Sequence, residues 1–255
     1  MNRPRAFVIA LCSALVVAVV AIAVAVGRAN DANMQATAPQ PGAPLPSQAT
    51  PTAAPTIPFA NCGKASFSDP LPPVGQPSDI HSYPAAPKMT IDVHKLYLAT
   101  VKTTKGTISI CIEPQLAPVT ANNFVTLARN HFYDGLFFHR VVPNFVVQGG
   151  DPACTGDTAK LPENDPKKSP CGTGGPGYKF NDEPVRQRYV TGALAMANSG
   201  KNTNGSQFFI LTADHPELAQ SGQYNLFGNV YEGIDVVKSL SNGDVMQKVT
   251  VAQQQ

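Results

Sequence analysis

The stretch FFHRVVPNFVVQGGD, residues 137–151, decides the fold that this sequence predicts. Apolar runs around LFFHRVV and FVVQG predict two short strands. Upstream, the isoleucines of TISICIE, residues 107–113, alternate with small or polar side chains, which is the period-2 pattern of a half-buried strand. LYLATVK precedes it, and the Thr104-Lys105-Gly106 turn joins the two runs into a predicted hairpin.

The remaining elements complete a mainly β pattern. Short strands are predicted around GALAMAN, QFFILT, LFGNV and KVTVA. One helix is predicted over ANNFVTLARN with Thr120 as its N-cap, and a second helix near GIDVVKSL. Many short strands with two helices favour an antiparallel barrel that is capped at its ends.

Composition excludes some classes of function. The 255 residues carry a formal net charge of +2, and only 14% of them are charged, so a nucleic-acid partner is not expected. The chain has no CxxC pair, and its histidines outside the decisive stretch show no metal-ligand spacing, so no metal site is predicted. His139 is interpreted as a core histidine.

The N-terminal segment predicts a membrane anchor. Residues 6–26 contain no charge over 21 positions, which as a helix is long enough to cross a bilayer. Arg3 and Arg5 precede this run, so the N-terminus is expected in the cytoplasm and the large domain outside it, in a single-pass cell-membrane protein. The alternative is a cleaved signal peptide and secretion, although the A-x-A triplets lie inside the apolar run.

A proline-rich segment follows the anchor. Residues 1–27 are assigned to the cytoplasmic tip and anchor, residues 28–90 to a linker, and residues 91–255 to the folded domain. Of the 24 prolines, 13 lie between Pro39 and Pro87, and proline favours neither helix nor strand ladder. The linker is therefore predicted to be an extended spacer, and an inert tether is favoured over a ligand-bearing proline motif.

Several blocks carry a resemblance to a known family. FFHRVVPNFVVQGGD and MANSGKNTNGSQFFI (residues 196–210) closely resemble the two signature segments of cyclophilins. GTGGPGYKFNDE, which begins at Gly172, looks like the glycine loop of that family, and LFGNVYEGIDVV is similar to its final strand and helix. The resemblance covers essentially residues 91–252 in the family's order. It implies an eight-stranded antiparallel barrel with a helix at each end, and a peptidyl-prolyl cis–trans isomerase that needs no metal or cofactor.

The resemblance also implies a substrate groove on the outer barrel wall. Catalysis would rest on Arg140, with Gln148 orienting it, and Asn198 would hold the substrate through its main chain. Proline-containing peptides and folding or unfolded proteins would be the partners. The residues that would contact substrate are Phe145, Val146, Gly172, Ala197, Asn198, Ser199, Gln207, Phe209, Leu218 and Tyr224.

The residue types suit this chemistry. Amide resonance gives the X-Pro bond a rotational barrier of roughly 18–20 kcal/mol. Rotation returns a lone pair to the proline nitrogen, and a fixed guanidinium that donates to this nitrogen or to the prolyl carbonyl favours the twisted amide. Taken singly, Arg140 fits a surface salt bridge and the phenylalanines fit ordinary core. Their occurrence together in two blocks favours the groove.

Two other functions compete with the enzyme, and three positions depart from the family. A non-catalytic binding module would use the groove to hold proline-containing segments, and a structural wall protein would use the barrel as a platform. Val146 replaces a methionine, Tyr224 replaces a histidine, and Glu217 stands where many members have a tryptophan that grips cyclosporin. Weak cyclosporin binding is therefore expected.

Four cysteines lie beyond the predicted anchor. An even number in an oxidising compartment permits two disulfides, and the alternative is four free thiols. Cys154 and Cys171 bracket an insertion, residues 152–171, that is longer than the family usually has. A bridge between them would close the base of the insertion and keep it from collapsing across the groove. Cys62 with Cys111 would then pin the end of the linker to the barrel.

Overall fold

The structure is a computed structural model that describes residues 59–74, 81–163, 165–168, 170–220 and 224–255. The predicted membrane segment, residues 6–26, and the first half of the linker lie outside these ranges. Within the described ranges, none of the helices combines the length and the apolar character that crossing a membrane requires.

Eight strands of the described chain form one antiparallel sheet, which confirms the predicted mainly β architecture. They are β1 (Tyr97–Thr103), β2 (Gly106–Ile112), β3 (Phe138–Val142), β4 (Val146–Gly149), β5 (Ala193–Met196), β6 (Phe208–Leu211), β7 (Leu226–Glu232) and β8 (Met246–Gln253). Their order in the sheet is β3-β4-β6-β5-β7-β2-β1-β8. A bridge between Phe137 and Val245 joins the two outermost strands, so the sheet curls toward a closed barrel.

The alternation of side chains places the core. The β1–β2 hairpin pairs Tyr97 with Ile112 and Thr103 with Gly106, so the isoleucines of β2 all point to one face. That face is the barrel interior, where they pack with aromatic residues such as Phe124 and Phe227. The opposite face of β4, β5 and β6 carries a second apolar cluster, which forms the outer wall described below.

Two predicted helices are present, with one correction. Helix α1 spans Pro118–Arg129, α2 spans Gly156–Ala159 within the insertion, and α3 spans Ile234–Ser239. The prediction of Thr120 as the N-cap is wrong, because the helix begins at Pro118 and Ala117 occupies the N-cap without a side-chain cap. The amide N–H groups of Val119 and Thr120 instead donate to the Glu183 carboxylate, at 3.0 and 2.8 Å. A side chain distant in sequence thus replaces the local cap.

The described part of the predicted linker packs on the barrel. Cys62 forms a disulfide with Cys111 of β2, with the Cα atoms 5.8 Å apart. The amides of Ser68 and Leu71 donate to carbonyl oxygens of β8, at 2.9 and 2.7 Å. We call residues 59–74 the extension. It behaves as an added edge segment rather than a plain spacer, so the packed region begins before residue 91.

Candidate active site

A tight hairpin sets Arg140 beside Gln148. The β3–β4 turn is closed by the Phe145 amide, which donates to the Val142 carbonyl oxygen at 3.1 Å. In the resulting register Arg140 pairs with Gln148, and cross-strand partners project from the same face of a sheet. The Arg140 Nη1 atom lies 3.5 Å from Gln148 Oε1. The predicted catalytic pair is therefore brought together by local chain geometry.

A β-bulge in β3 turns Arg140 outward. The register shifts between Phe138 and Arg140, so these two residues face opposite sides although they are two positions apart. Phe138 joins the interior core, whereas Arg140 belongs to the outer wall. His139 lies between them and is buried. Burial, reinforced by the nearby Lys168 and Arg140 cations, lowers the pKa of His139 to about 3, so the imidazole is neutral.

Gln148 continues a row of cross-strand partners into an apolar wall. Gln148 pairs with Phe209 of β6, and Phe209 pairs with Ala195 of β5. The outer-wall cluster consists of Leu116, Phe145, Val146, Tyr189, Ala193, Ala195, Ala197, Phe209, Leu211, Leu218 and Leu226. Five predicted substrate contacts are among them, and Tyr224 packs edge-on against Phe209, with ring centroids 5.5 Å apart. A cation thus stands at the border of an apolar surface.

Amide groups link this pair to the glycine loop. Gln148 Nε2 donates to Gln207 Oε1 at 2.9 Å. Gln207 Nε2 donates in turn to the carbonyl oxygens of Gly172 and Gly174, at 3.0 and 2.9 Å. Gly172 has φ of +93°, a left-handed conformation that glycine adopts without steric cost. Gln207 therefore links Gln148, the partner of Arg140, to the glycine loop through hydrogen bonds.

Asp151 fastens both ends of the insertion. Its carboxylate accepts hydrogen bonds from the amide of Ala153 at 2.7 Å, from the amide of Gly174 at 3.2 Å and from the amide of Gly172. Burial raises the pKa of Asp151, and these backbone donors oppose the shift. Sequence analysis did not single out Asp151, although it ends the decisive stretch.

Asn198 and Ser199 lie in a turn that uses their polar groups locally. The Gly200 amide donates to Asn198 Oδ1 at 3.2 Å, and the Ser199 amide donates to Thr203 Oγ1 at 2.9 Å. The Ala197 amide donates to the Gln207 carbonyl oxygen at 2.9 Å, which ties this turn to the start of β6. The predicted contact of Asn198 with substrate through its main chain remains a prediction.

The insertion reaches the arginine, which sequence analysis did not foresee. Glu163 Oε1 lies 3.5 Å from Arg140 Nε, and Glu163 Oε2 lies 3.5 Å from Lys168 Nζ. The side chains of Arg140 and Lys168 are only 2% and 3% exposed, whereas Glu163 is 27% exposed. Burial lowers the pKa of Arg140, and the Glu163 carboxylate opposes that shift. Nothing in the aperiodic insertion distinguishes Glu163 from its other acidic residues.

The cysteines of the insertion form a disulfide. Cys154 and Cys171 are bonded to each other, with their Cα atoms 4.2 Å apart. Together with His139 they bring three potential metal-ligand atoms within 4.8 Å of one another. Because both sulfurs are in the disulfide, this group does not present thiolates to a metal.

Comparisons with known proteins identify the family of this chain. A family model described as "Cyclophilin type peptidyl-prolyl cis-trans isomerase/CLD" matches residues 98–254. The chain is 46% identical over 140 residues to peptidyl-prolyl cis-trans isomerase B of Bacillus subtilis, a match that covers 54% of this chain and 85% of that protein. It is 42% identical over 155 residues to a peptidyl-prolyl cis-trans isomerase of Synechococcus elongatus, covering 60% of this chain and 94% of that protein.

A solved structure shares the fold. The crystal structure of a cyclophilin type peptidyl-prolyl cis-trans isomerase from Cryptosporidium parvum superposes with a TM-score of 0.50 at 24% identity. The superposition covers 61% of this chain and 97% of that chain. With the family match spanning most of the chain, the chain belongs to the cyclophilin family and is a peptidyl-prolyl cis–trans isomerase.

Proposed function

We propose that this isomerase accelerates X-Pro rotation in proteins that fold outside the cytoplasm, with Arg140 as the catalytic residue and Gln148 as its orienting partner. The observation that carries the proposal is the row from Arg140 through Gln148 to Phe209, which sets a fixed cation at the border of an apolar wall. A proline ring fits the apolar wall, and the guanidinium supplies the donor that a twisted amide requires.

The environment of Arg140 strengthens its effect on the amide. A hydrogen bond to the developing lone pair of the proline nitrogen, or to the prolyl carbonyl, lowers the barrier only if the donor is already in place. Arg140 donates a hydrogen bond to Gln148, and Gln148 donates one to Gln207, so a buried chain of hydrogen bonds holds the guanidinium. Burial shields its charge from bulk water. No bond is made or broken, so these residues need no nucleophile.

Substrate gains contact with Arg140 by displacing a neighbour, because the guanidinium is almost fully buried. Among the residues that the structure describes, Glu163 and Tyr224 interact with it electrostatically, and both are half-buried. Phe145, Val146, Phe209 and Leu218 line the socket for the proline ring. The prolyl residue would thus enter along the apolar wall and meet the cation at its edge.

An isomerase assay with a short X-Pro peptide tests the activity and the arginine together. The full-length chain in detergent should accelerate isomerisation, and Arg140→Ala should lower kcat/KM by about a hundredfold or more. Arg188→Ala, which removes an exposed arginine, is the matched control and should retain full activity. A folded Arg140→Ala protein with unchanged activity would contradict the proposed role of Arg140. An inactive wild-type chain would instead favour a non-catalytic binding module.

The extracytoplasmic location is supported by the two disulfides, since such bonds persist in oxidising compartments. Residues 6–26 would anchor the protein, with the isomerase domain outside the membrane. Full-length protein should sediment with membranes, resist high salt and dissolve in detergent. Soluble protein outside the cell with a mature N-terminus near Val26 would instead indicate a cleaved signal peptide.

Cyclosporin should bind weakly. Glu217, which stands where many family members have a tryptophan, is 49% exposed and lies 2.7 Å from His215 Nδ1. Losing one aromatic contact with a polar handle costs on the order of 1–3 kcal/mol, or roughly ten- to a hundredfold in affinity. Isothermal titration with cyclosporin checks this, and a nanomolar dissociation constant would contradict it.

A further inference from the structure

The insertion between the two cysteines delivers a carboxylate to the catalytic site. Glu163 bridges Arg140 and Lys168, with 3.5 Å between each pair of charged atoms. We propose that Glu163 is a positioning residue that holds the Arg140 guanidinium for catalysis. The inference rests on the catalytic role proposed above for Arg140, and it assigns a function to the segment that the Cys154–Cys171 disulfide closes.

The geometry of the guanidinium supports this role. Glu163 approaches Nε, whereas Gln148 approaches the terminal Nη1 atom. The contact at Nε is an ion pair rather than a hydrogen bond, so Glu163 acts on the guanidinium through charge attraction. Together with the hydrogen bond to Gln148 at Nη1, this attraction favours one orientation of the planar group.

Glu163 is itself held in place. Lys168 Nζ donates to the carbonyl oxygen of Leu161 at 3.0 Å and to the carbonyl oxygen of His139. Because His139 directly precedes Arg140, Lys168 ties the insertion to the very strand that carries the arginine. The Cys154–Cys171 disulfide closes the base of the same loop. The carboxylate thus sits on a closed and doubly attached segment.

Charge balance keeps Glu163 beside Arg140 when substrate binds. Arg140 and Lys168 are buried and close enough to repel each other. Moving Glu163 away would leave two buried cations without the anion between them, which is a costly arrangement. Glu163 therefore stays on the arginine through the reaction.

Glu163→Gln tests the proposal, because it keeps the shape of the side chain and removes its charge. In the full-length chain, kcat for an X-Pro peptide should fall by roughly three- to tenfold while KM changes by less than about twofold. The matched control is Asp157→Asn, which removes the same charge from an exposed position of the same insertion and should leave both constants unchanged. Nuclear magnetic resonance line shapes give kcat and KM separately.

A double variant separates positioning from a general effect on the fold. In an Arg140→Lys background the guanidinium Nε is absent, so Glu163→Gln should change kcat by less than about twofold. A full-sized loss in that background would overturn the proposal, as would a rise in kcat/KM of Glu163→Gln, which would mean that the carboxylate blocks substrate. If wild type is active and Arg140→Ala is not, while Glu163→Gln behaves as wild type, then only this inference fails.

Discussion

Two disulfides hold two segments to the barrel, and the segments differ in what they reach. The extension is linked through Cys62 to β2 and adds backbone hydrogen bonds along β8. The insertion, closed by Cys154 and Cys171, instead sets Glu163 against Arg140. The two disulfides thus have different roles. The Cys62–Cys111 bond attaches the extension to the folded domain, and the Cys154–Cys171 bond supports the active site. This difference can be tested by breaking each attachment in turn.

Removal of the extension should have the largest effect. A chain that starts at residue 75 loses the Cys62 crosslink together with the bonds from Ser68 and Leu71 to β8. Compared with a chain that starts at residue 59, its free energy of unfolding should fall by more than the roughly 4 kcal/mol of the disulfide alone. Urea unfolding measures the loss. Equal stability of the two chains would show that the extension is only a spacer.

Breaking the first disulfide alone should cost somewhat less. For a sequence separation of 49 residues, the chain-entropy model gives about 4 kcal/mol for Cys62→Ser with Cys111→Ser. The isomerase activity should stay within about twofold of wild type, because this crosslink supports no side chain of the catalytic pair. Thermal unfolding and the peptide assay, run on the same samples, check both halves of the expectation. A large loss of kcat at full folding would contradict it.

Breaking the second disulfide should cost less stability but more activity. With a separation of 17 residues, Cys154→Ser with Cys171→Ser should lower the free energy of unfolding by about 3 kcal/mol. Since the loop then no longer fixes Glu163, kcat should fall severalfold, as in Glu163→Gln. Non-reducing peptide mapping of wild type must first recover this pair as a linked peptide. Unchanged kcat in the double serine variant would show that the insertion, like the extension, does not support the active site.

The smallest expected effect concerns Glu113, which follows β2 near the extension. Burial raises its pKa from 4.5 to about 7, against a hydrogen bond from the Ala60 backbone. Between pH 4.5 and about 7, the Glu113 carboxyl is therefore protonated in the folded state and ionised in the unfolded state. The stability contribution is full below pH 4.5 and is lost as the pH rises through about 7.

Glu113→Gln should remove this dependence. At pH 8 the variant should be more stable than wild type by at most about 3 kcal/mol, and near pH 4 the two should be alike. Urea unfolding at a series of pH values gives the comparison. A wild-type chain whose stability does not fall relative to the variant between pH 5 and 8 would show that the Glu113 carboxyl is solvated.

The strands could be predicted from the sequence because their signals are local. The alternation in TISICIE and the short apolar runs depend only on neighbouring residues, and the β2 hairpin formed as expected. The start of α1 depends instead on Glu183, which caps Thr120 from a distant loop, so Thr120 was misassigned. Glu163 was missed for the same reason. Its role arises from two cations that only the folded chain brings beside it.

The proline-rich composition predicted a plain spacer, whereas the extension packs on the barrel. Its prolines do preclude a regular ladder, yet the residues between them keep amide donors, and Ser68 and Leu71 use these on β8. For the groove, the family resemblance indicated which residues would gather, and the register of β3, β4 and β6 shows how Arg140, Gln148 and Phe209 meet. The supporting bonds from Gln207 to the glycine loop required the folded structure.

The hydrogen bonds of Asp151 fix the two ends of the insertion independently of its length. Its carboxylate joins the amides of Ala153, Gly172 and Gly174, so the chain leaves and re-enters the barrel at a single fixed node. Polypeptide of another length or sequence can therefore be grafted between these ends without moving the glycine loop, and full activity then requires that the graft keeps a carboxylate in the place of Glu163. For protein engineering, the attachment site at Asp151 is a position beside the active site where a new binding loop for a proline-containing substrate protein could be inserted.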